Sequence, residues 1–167
     1  MSDSADPSPR SAAPAPLADA VQRDAHVLAG INRILHEALS ASTEEELGQL
    51  CLEVAEDLTG AAFSFFGEER DASGRLDHLA ISERGWAAYR GSDPDFSQRK
   101  LPNGLKIRGI FGEVMIQDRT LIVNEPASHP ARVGLPQGHP VLHNFLGVPL
   151  RHNGETFACL LYTSDAA

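Results

Sequence analysis

The chain has 167 residues, the size of one ordinary domain, and 42% of them are hydrophobic, enough for a single core. Acidic residues outnumber basic ones 23 to 14, a formal charge of -9, which argues against a nucleic-acid surface built on clustered Lys and Arg. The two cysteines, Cys51 and Cys159, form no CxxC pair or zinc spacing, and no apolar run approaches the roughly 20 residues of a membrane span, so the expectation is a cytoplasmic, reducing compartment with no membrane segment here.

Residues 1–16 are mostly Ser, Ala, Pro and Asp, with little to bury and no signal-peptide core, and are expected to form a disordered tail. Residues 17–41 are expected to form a signalling and dimerisation helix. Over Leu17–Leu39, the residues Val21, Leu28, Ile31, Leu35 and Ala38 recur at steps of three, four or seven and line one stripe. Asp24 interrupts it, and Val27, Ile34 and Leu39 widen it. Such a stripe packs on its own domain or on a second copy, and a homodimer through Val21, Leu28, Ile31, Leu35 and Ala38 is the expectation adopted. Ser40-Ala41-Ser42 breaks this helix. Ser42 with Glu45 matches a capping box opening a second, amphipathic helix, with Leu47, Leu50, Cys51, Val54 and Leu58 at helical spacing and Gly60 as its stop.

The remainder reads as strands and loops. Ala62–Gly67 is a short aromatic strand. After a turn at Asp71–Gly74, Leu76–Ile81 returns beside it, with Leu76, His78 and Ala80 on one face. Trp86–Tyr89 suits a short helical turn, and Gly91–Gly104 a loop. Ile107–Ile116 is a helix, with Ile107, Phe111, Val114 and Met115 on one side. Thr120–Val123 is a strand, and Asn124–His139 is a long Pro- and Gly-rich excursion of the kind that usually carries function. Phe145–Arg151 and a strand from Glu155 flank Asn153-Gly154, a type I′ hairpin signal. Pro149 predicts an edge or a bulge there. Helices segregated from a mostly antiparallel sheet make an α+β fold.

This order of motifs resembles a GAF domain over roughly residues 28–158. Gly109-Ile110-Phe111-Gly112 followed by Arg119-Thr120-Leu121-Ile122-Val123-Asn124 is similar to that family's central helix and third strand. Phe145-Leu146-Gly147-Val148-Pro149-Leu150 with Asn153-Gly154-Glu155 is similar to its late hairpin. Ile31-Asn32-Arg33-Ile34, Glu44-Glu45-Glu46-Leu47 and Gly134-Leu135-Pro136-Gln137-Gly138-His139-Pro140 resemble GAF domains of bacterial multi-sensor histidine kinases. The resemblance implies a PAS-related antiparallel sheet flanked by helices, with the GAF domain at 42–158. It also implies a non-enzymatic sensory module that binds a small molecule and relays a signal through flanking helices. Its parent would be a signal-transduction histidine kinase of a two-component system. The alternative is a stand-alone GAF protein with small-molecule-binding or redox enzyme activity.

A ligand, on this reading, lies under the Asn124–His139 loop and the Ile107 helix. The candidate lining residues are Phe65, Ile81, Trp86, Phe111, Met115, His139 and Phe145, with Glu125 and Arg132 as polar groups that orient it. Most of these are equally well explained as core, because apolar residues at regular spacing usually just pack. Bilin-binding relatives attach their chromophore through a Cys-His pair. Aligning on Gly147 puts Gly138 at the cysteine position and His139 at the histidine, so covalent bilin attachment is not expected. His129, His139, His143 and His152 form no metal motif and read as loop or surface groups. No catalytic or metal-ligating residue is expected.

Residues 159–167, Cys-Leu-Leu-Tyr-Thr-Ser-Asp-Ala-Ala, match the translation of a common transposase sequencing adapter at every position. They are expected to be adapter read-through, leaving the domain truncated at its C-terminal end and without its effector. Redox chemistry of the methionine-sulfoxide-reductase kind, which needs several cysteines, would then have only Cys51.

Overall fold

The computed structural model describes residues 15–69, 73–92, 104–135 and 139–163. The expectations for most of the 1–16 tail, part of the Asp71–Gly74 turn, most of the Gly91–Gly104 loop and Gly138 lie outside these residues. The elements run α1 (Ala15–Ala38), α2 (Glu44–Thr59), β1 (Phe63–Glu68), β2 (Arg75–Ile81), α3 (Glu83–Ser92), β3 (Leu105–Lys106), α4 (Gly109–Ile116), β4 (Leu121–Val123), β5 (Phe145–His152) and β6 (Glu155–Thr163). A 3-10 turn at Pro126–Ser128 interrupts the long excursion. The strands form one antiparallel sheet in the order β3-β2-β1-β6-β5-β4. Helices flank this sheet, giving the α+β class expected.

The outer layer is α1 on α2. Gly30 is where they touch: a Cβ there would lie 2.8 Å from Val54 Cγ1 and 3.2 Å from Leu58 Cδ1. The cap of α2 falls one residue later than the Ser42–Glu45 pattern predicts. Thr43 Oγ1 accepts the Glu46 N–H at 3.1 Å, and the Glu46 carboxylate accepts the Ser42 N–H at 2.8 Å. Both pairs satisfy otherwise orphaned donors, and Thr43 wins because its extended backbone leads directly into the first turn. Gly60 ends α2 in the left-handed conformation, as anticipated. The sheet-facing row of α2 includes Gly48, which meets Ala80 and Leu79, and Glu56, which meets Ser64; Leu52 between them is fully buried.

Leu76 and Ala80, expected on one face with His78, do not share one. Phe66 pairs with Ala80 and Gly67 with His78, so Leu79 is skipped and the alternation shifts. Ala80 consequently meets α2 at Gly48, whereas Leu76 joins the core under α4. The segment predicted as a short turn at Trp86–Tyr89 is a 10-residue helix, α3. Ser82 Oγ starts it by accepting the Gly85 N–H at 3.0 Å, a serine cap the apolar pattern does not reveal. The helix also takes in Gly91 and Ser92, which the sequence assigns to the following loop.

The second core lies beneath α4. Leu76, Val114, Met115, Leu121, Val123, Phe145 and Cys159 are buried together, with Phe65, Ile107, Ile110 and Phe111 half-buried against them. The β5–β6 hairpin turns at Asn153 (φ 52) and Gly154 (φ 86), the paired positive φ of a type I′ turn. Pro149 is accommodated because β4 pairs only with Phe145–Gly147, leaving that side of β5 unpaired by β4 from Val148 onward; the register also shifts between Leu150 and Arg151. Among the described residues no helix is long and apolar enough to cross a membrane.

Candidate functional site

Eight of the nine expected ligand-binding residues divide into three groups. Met115 and Phe145 are buried in the core under α4, while Phe65 and Phe111 sit half-buried at its margin. Ile81 and Trp86 are buried outside that cluster, Ile81 opposite Phe65 across the β1–β2 pair and Trp86 on α3. Glu125 and Arg132 are exposed on the excursion. The Glu125 carbonyl and carboxylate both lie within reach of the Ser128 hydroxyl, at 3.1 and 3.3 Å, so this side chain serves its own 3-10 turn.

The excursion is anchored over α4. Ala131 O and the Val133 side chain crowd Gly109, where a Cβ would fall 2.6 Å from Val133 Cγ2; glycine is the residue that permits this approach. Farther on, the His139 ring packs edge-on to Phe63, with centroids 6.4 Å apart. Its Nδ1 lies 2.6 Å from the Pro140 carbonyl oxygen, which only accepts, so Nδ1 carries the proton. Burial pushes the His139 pKa down, partly opposed by that hydrogen bond. The structure therefore brings His139, Phe65, Phe111, Met115 and Phe145 to the α4 side of the sheet and leaves Glu125 and Arg132 in solvent.

The other late histidines scatter. His129 Nδ1 accepts the Ala131 N–H at 3.2 Å, His143 is exposed, and His152 lies edge-on to Phe157. Among the described residues no three His, Cys, Asp or Glu side chains converge as metal ligands do. Both thiols are disfavoured as nucleophiles. Burial pushes Cys159 up to about 12, and it also raises Cys51 on α2.

A second polar region was not foreseen. A cleft of about 310 Å³ opens on the opposite side of the sheet, lined by Arg33, Glu53, Glu56, Asp57, Glu83 and Arg84. At its floor Ser64 Oγ donates to Glu56 Oε1 at 2.6 Å. Arg84 lies 3.7 Å from both Glu56 and Asp57, and Arg33 donates to Glu53 at 3.1 Å. The available signal was spacing: Glu56 falls eight residues after Gly48, in the row that faces the sheet, opposite a lone serine in an aromatic strand. These pairs tie α1, α2 and α3 together.

Two helical layers on an antiparallel sheet, with an anchored excursion over one face, define a small α+β domain. A family model for the GAF domain matches residues 41–166, and the chain belongs to the GAF domain family. Solved structures share the fold. The GAF domain of a phosphoenolpyruvate-protein phosphotransferase (ptsP) from Coxiella burnetii is 20% identical with a TM-score of 0.64, the match covering 83% of this chain and 77% of that one. The A. aeolicus nlh2 GAF domain in an inactive state is 16% identical with a TM-score of 0.64, over 87% and 83% of the two chains. Free methionine-R-sulfoxide reductase from Neisseria meningitidis, in complex with its substrate, is 14% identical with a TM-score of 0.58, over 80% and 70%.

Proposed function

We propose that this GAF domain is a sensory input module that acts by binding rather than catalysis. A small molecule taken up on the α4 side, beneath the Asn124–His139 excursion, biases the packing of the domain. The change is relayed through α1 in a homodimer. The effector is a signal-transduction histidine kinase of a two-component system, a context that rests on the kinase-like segments at Ile31–Ile34, Glu44–Leu47 and Gly134–Pro140. The observation that carries the reading is the anchored excursion: Val133 against Gly109 and His139 against Phe63 hold it over a face whose margin, Phe65 and Phe111, is only half-buried. The raised thiol pKa of Cys51 favours this reading over a redox enzyme.

We also propose that residues 159–167 are adapter-derived, so that the native β6 differs from Cys159 onward. Sequencing the natural gene past the codon for Ala158 tests both proposals. Continuation into a histidine-bearing dimerisation helix and an ATPase domain supports the kinase, and ligand screening then couples to autophosphorylation. A frame that ends after one more strand and helix favours the stand-alone alternative. A native gene that itself encodes Cys159–Ala167 refutes the adapter origin. Trp86 fluorescence against a metabolite panel tests binding directly, and a hit unaffected by Phe111→Ala moves the ligand away from the α4 face.

A further inference from the structure

Helix α2 carries Glu53, Glu56 and Asp57 at positions i, i+3 and i+4, which puts their carboxylates on one side of the helix. Arg33 of α1 and Glu83 and Arg84 of α3 close the 310 Å³ cleft around them. That size lies at the small end of ligand pockets, which run from about 300 to 1,000 Å³. Four carboxylates stand there against two guanidinium groups, a net charge of -2.

The two arginines differ in how they are held. Arg33 donates to Glu53 at 3.1 Å. Arg84 Nε lies 3.7 Å from Glu56 Oε2, and its Nη2 lies 3.7 Å from Asp57 Oδ1. Both separations exceed the roughly 2.7–2.9 Å of a charge-assisted hydrogen bond. The hydrogen bond of Arg84 goes instead to the Ala61 carbonyl oxygen, at 3.4 Å, and its side chain is 56% exposed. Glu56 is only 3% exposed. Ser64 satisfies its Oε1 at 2.6 Å, whereas Oε2 accepts no hydrogen bond among the described residues and faces Arg84 in the cleft. A buried carboxylate oxygen that has left water without gaining a donor calls for an N–H.

We propose that this cleft binds a small diamine, one ammonium group donating to Glu56 Oε2 and Asp57, with Arg84 as the tethered group it displaces. The second ammonium, on the same aliphatic stem, lies among the remaining carboxylates, and its charge brings the cleft to neutrality. A divalent metal ion carries the same charge but draws its oxygens to about 2.0–2.6 Å from one centre. Among the described residues no three such side chains converge that way. An ammonium group asks less, since its three donors reach separate acceptors. The site lies across the sheet from the α4 face and does not rest on the reading given for that face.

Calorimetric titration of the full chain with 1,4-diaminobutane tests this, at about pH 7, where an alkyl ammonium carries its charge. Saturable one-to-one binding is expected, and none of 1,4-butanediol, which has the same stem without charge. Glu56→Gln keeps an oxygen for the Ser64 hydroxyl and is expected to raise Kd at least about tenfold. Asp57→Asn, on a side chain 56% exposed, is expected to raise it too, and carries the test alone should Glu56→Gln fail to fold. Arg84→Ala is expected to lower Kd, because it removes the competing guanidinium. Phe111→Ala, across the sheet, is expected to leave it unchanged. Absence of saturable binding overturns the site. A Kd unchanged in the folded carboxylate variants also overturns it, and assigns the uptake to the chain's overall charge of -9. Weaker binding by Arg84→Ala overturns the displacement and makes that arginine part of the wall. A Kd raised by Phe111→Ala and not by Asp57→Asn moves the cation to the α4 face. Magnesium chloride titrated alone is expected to give no one-to-one binding, and magnesium binding lost in Asp57→Asn overturns the amine in favour of a metal.

Discussion

Ser64 donates its hydroxyl to the Glu56 carboxylate at 2.6 Å, and both residues are almost wholly buried between α2 and β1. The other carboxylate oxygen looks toward Arg84, 3.7 Å away at the cleft. The pair is thus a polar rivet in an otherwise apolar contact. Removing the hydroxyl leaves a buried acceptor short of a donor. Ser64→Ala is expected to cost about 2 kcal/mol, read as a lower urea midpoint with an unchanged slope. An unchanged midpoint would show that the bond contributes nothing.

A second prediction concerns acid. Asp118 holds a left-handed backbone conformation (φ 48), and its carboxylate accepts from Thr156 Oγ1 and, at 2.7 Å, from Arg151 Nε. The Thr156 hydrogen bond first, then Arg151, pulls the Asp118 pKa below 3.8. A depressed carboxylate stabilises the fold above its unfolded pKa, and the contribution is lost as pH falls through the folded value. Melting temperatures from pH 6 down to pH 2 should fall more steeply for the wild type than for Asp118→Asn. Because the group is exposed, the difference should be small and should shrink in salt. Parallel curves would refute the assignment.

His139 predicts a slope at milder pH. Its pKa is held below 6.5 by burial, so the folded protein resists the proton that the unfolded chain accepts. Stability is full above about pH 6.5 and declines as pH falls through the folded value. Replacing the ring by His139→Phe should flatten that part of the curve while keeping the contact with Phe63. The measurement is unfolding free energy at intervals between pH 5 and pH 8, and an undiminished slope in the variant would assign the effect to another histidine.

Gly67 and Leu76 make a steric prediction. A Cβ at Gly67 would sit 2.5 Å from Leu76 Cδ2, and Leu76 is fully buried. Gly67→Ala should destabilise by about 1–3 kcal/mol through overpacking. Trimming the neighbour as well, Leu76→Val, should recover part of the loss, giving a double-mutant coupling that a purely conformational effect of glycine would not produce.

What the sequence disclosed was what depends on neighbours along the chain. The α2 stop at Gly60, the Asn153-Gly154 turn and the strand carrying Phe145 were readable because each is set by local dihedral preference or periodicity. The α2 cap was off by one because Ser42 and Thr43 are chemically equivalent candidates, and only the backbone path separates them. The face of Ala80 was hidden by the skipped residue Leu79, since alternation is informative only while register holds. At the candidate site, Phe111 and Met115 carry the same apolar signal, and only the packing shows one half-buried and the other enclosed. Glu56 was overlooked for the opposite reason: its spacing from Gly48 puts it in the buried row, but a helical glutamate normally marks the wet side, and its burial requires a serine from a different element.

The sheet order has a consequence for how the domain is made. Strands β3, β2 and β1 form one leaf and β4 and β5 another, and β6, paired to β1 through Phe63–Glu68 and to β5 through Leu146–His152, is what joins them. Since β6 follows all the others in the chain, a ribosome releases the joining strand after both leaves. Until it arrives, the inner edges of β1 and β5 lack their native partner, open to pairing with other nascent chains. The nascent domain therefore has an aggregation-prone interval that closes when β6 emerges.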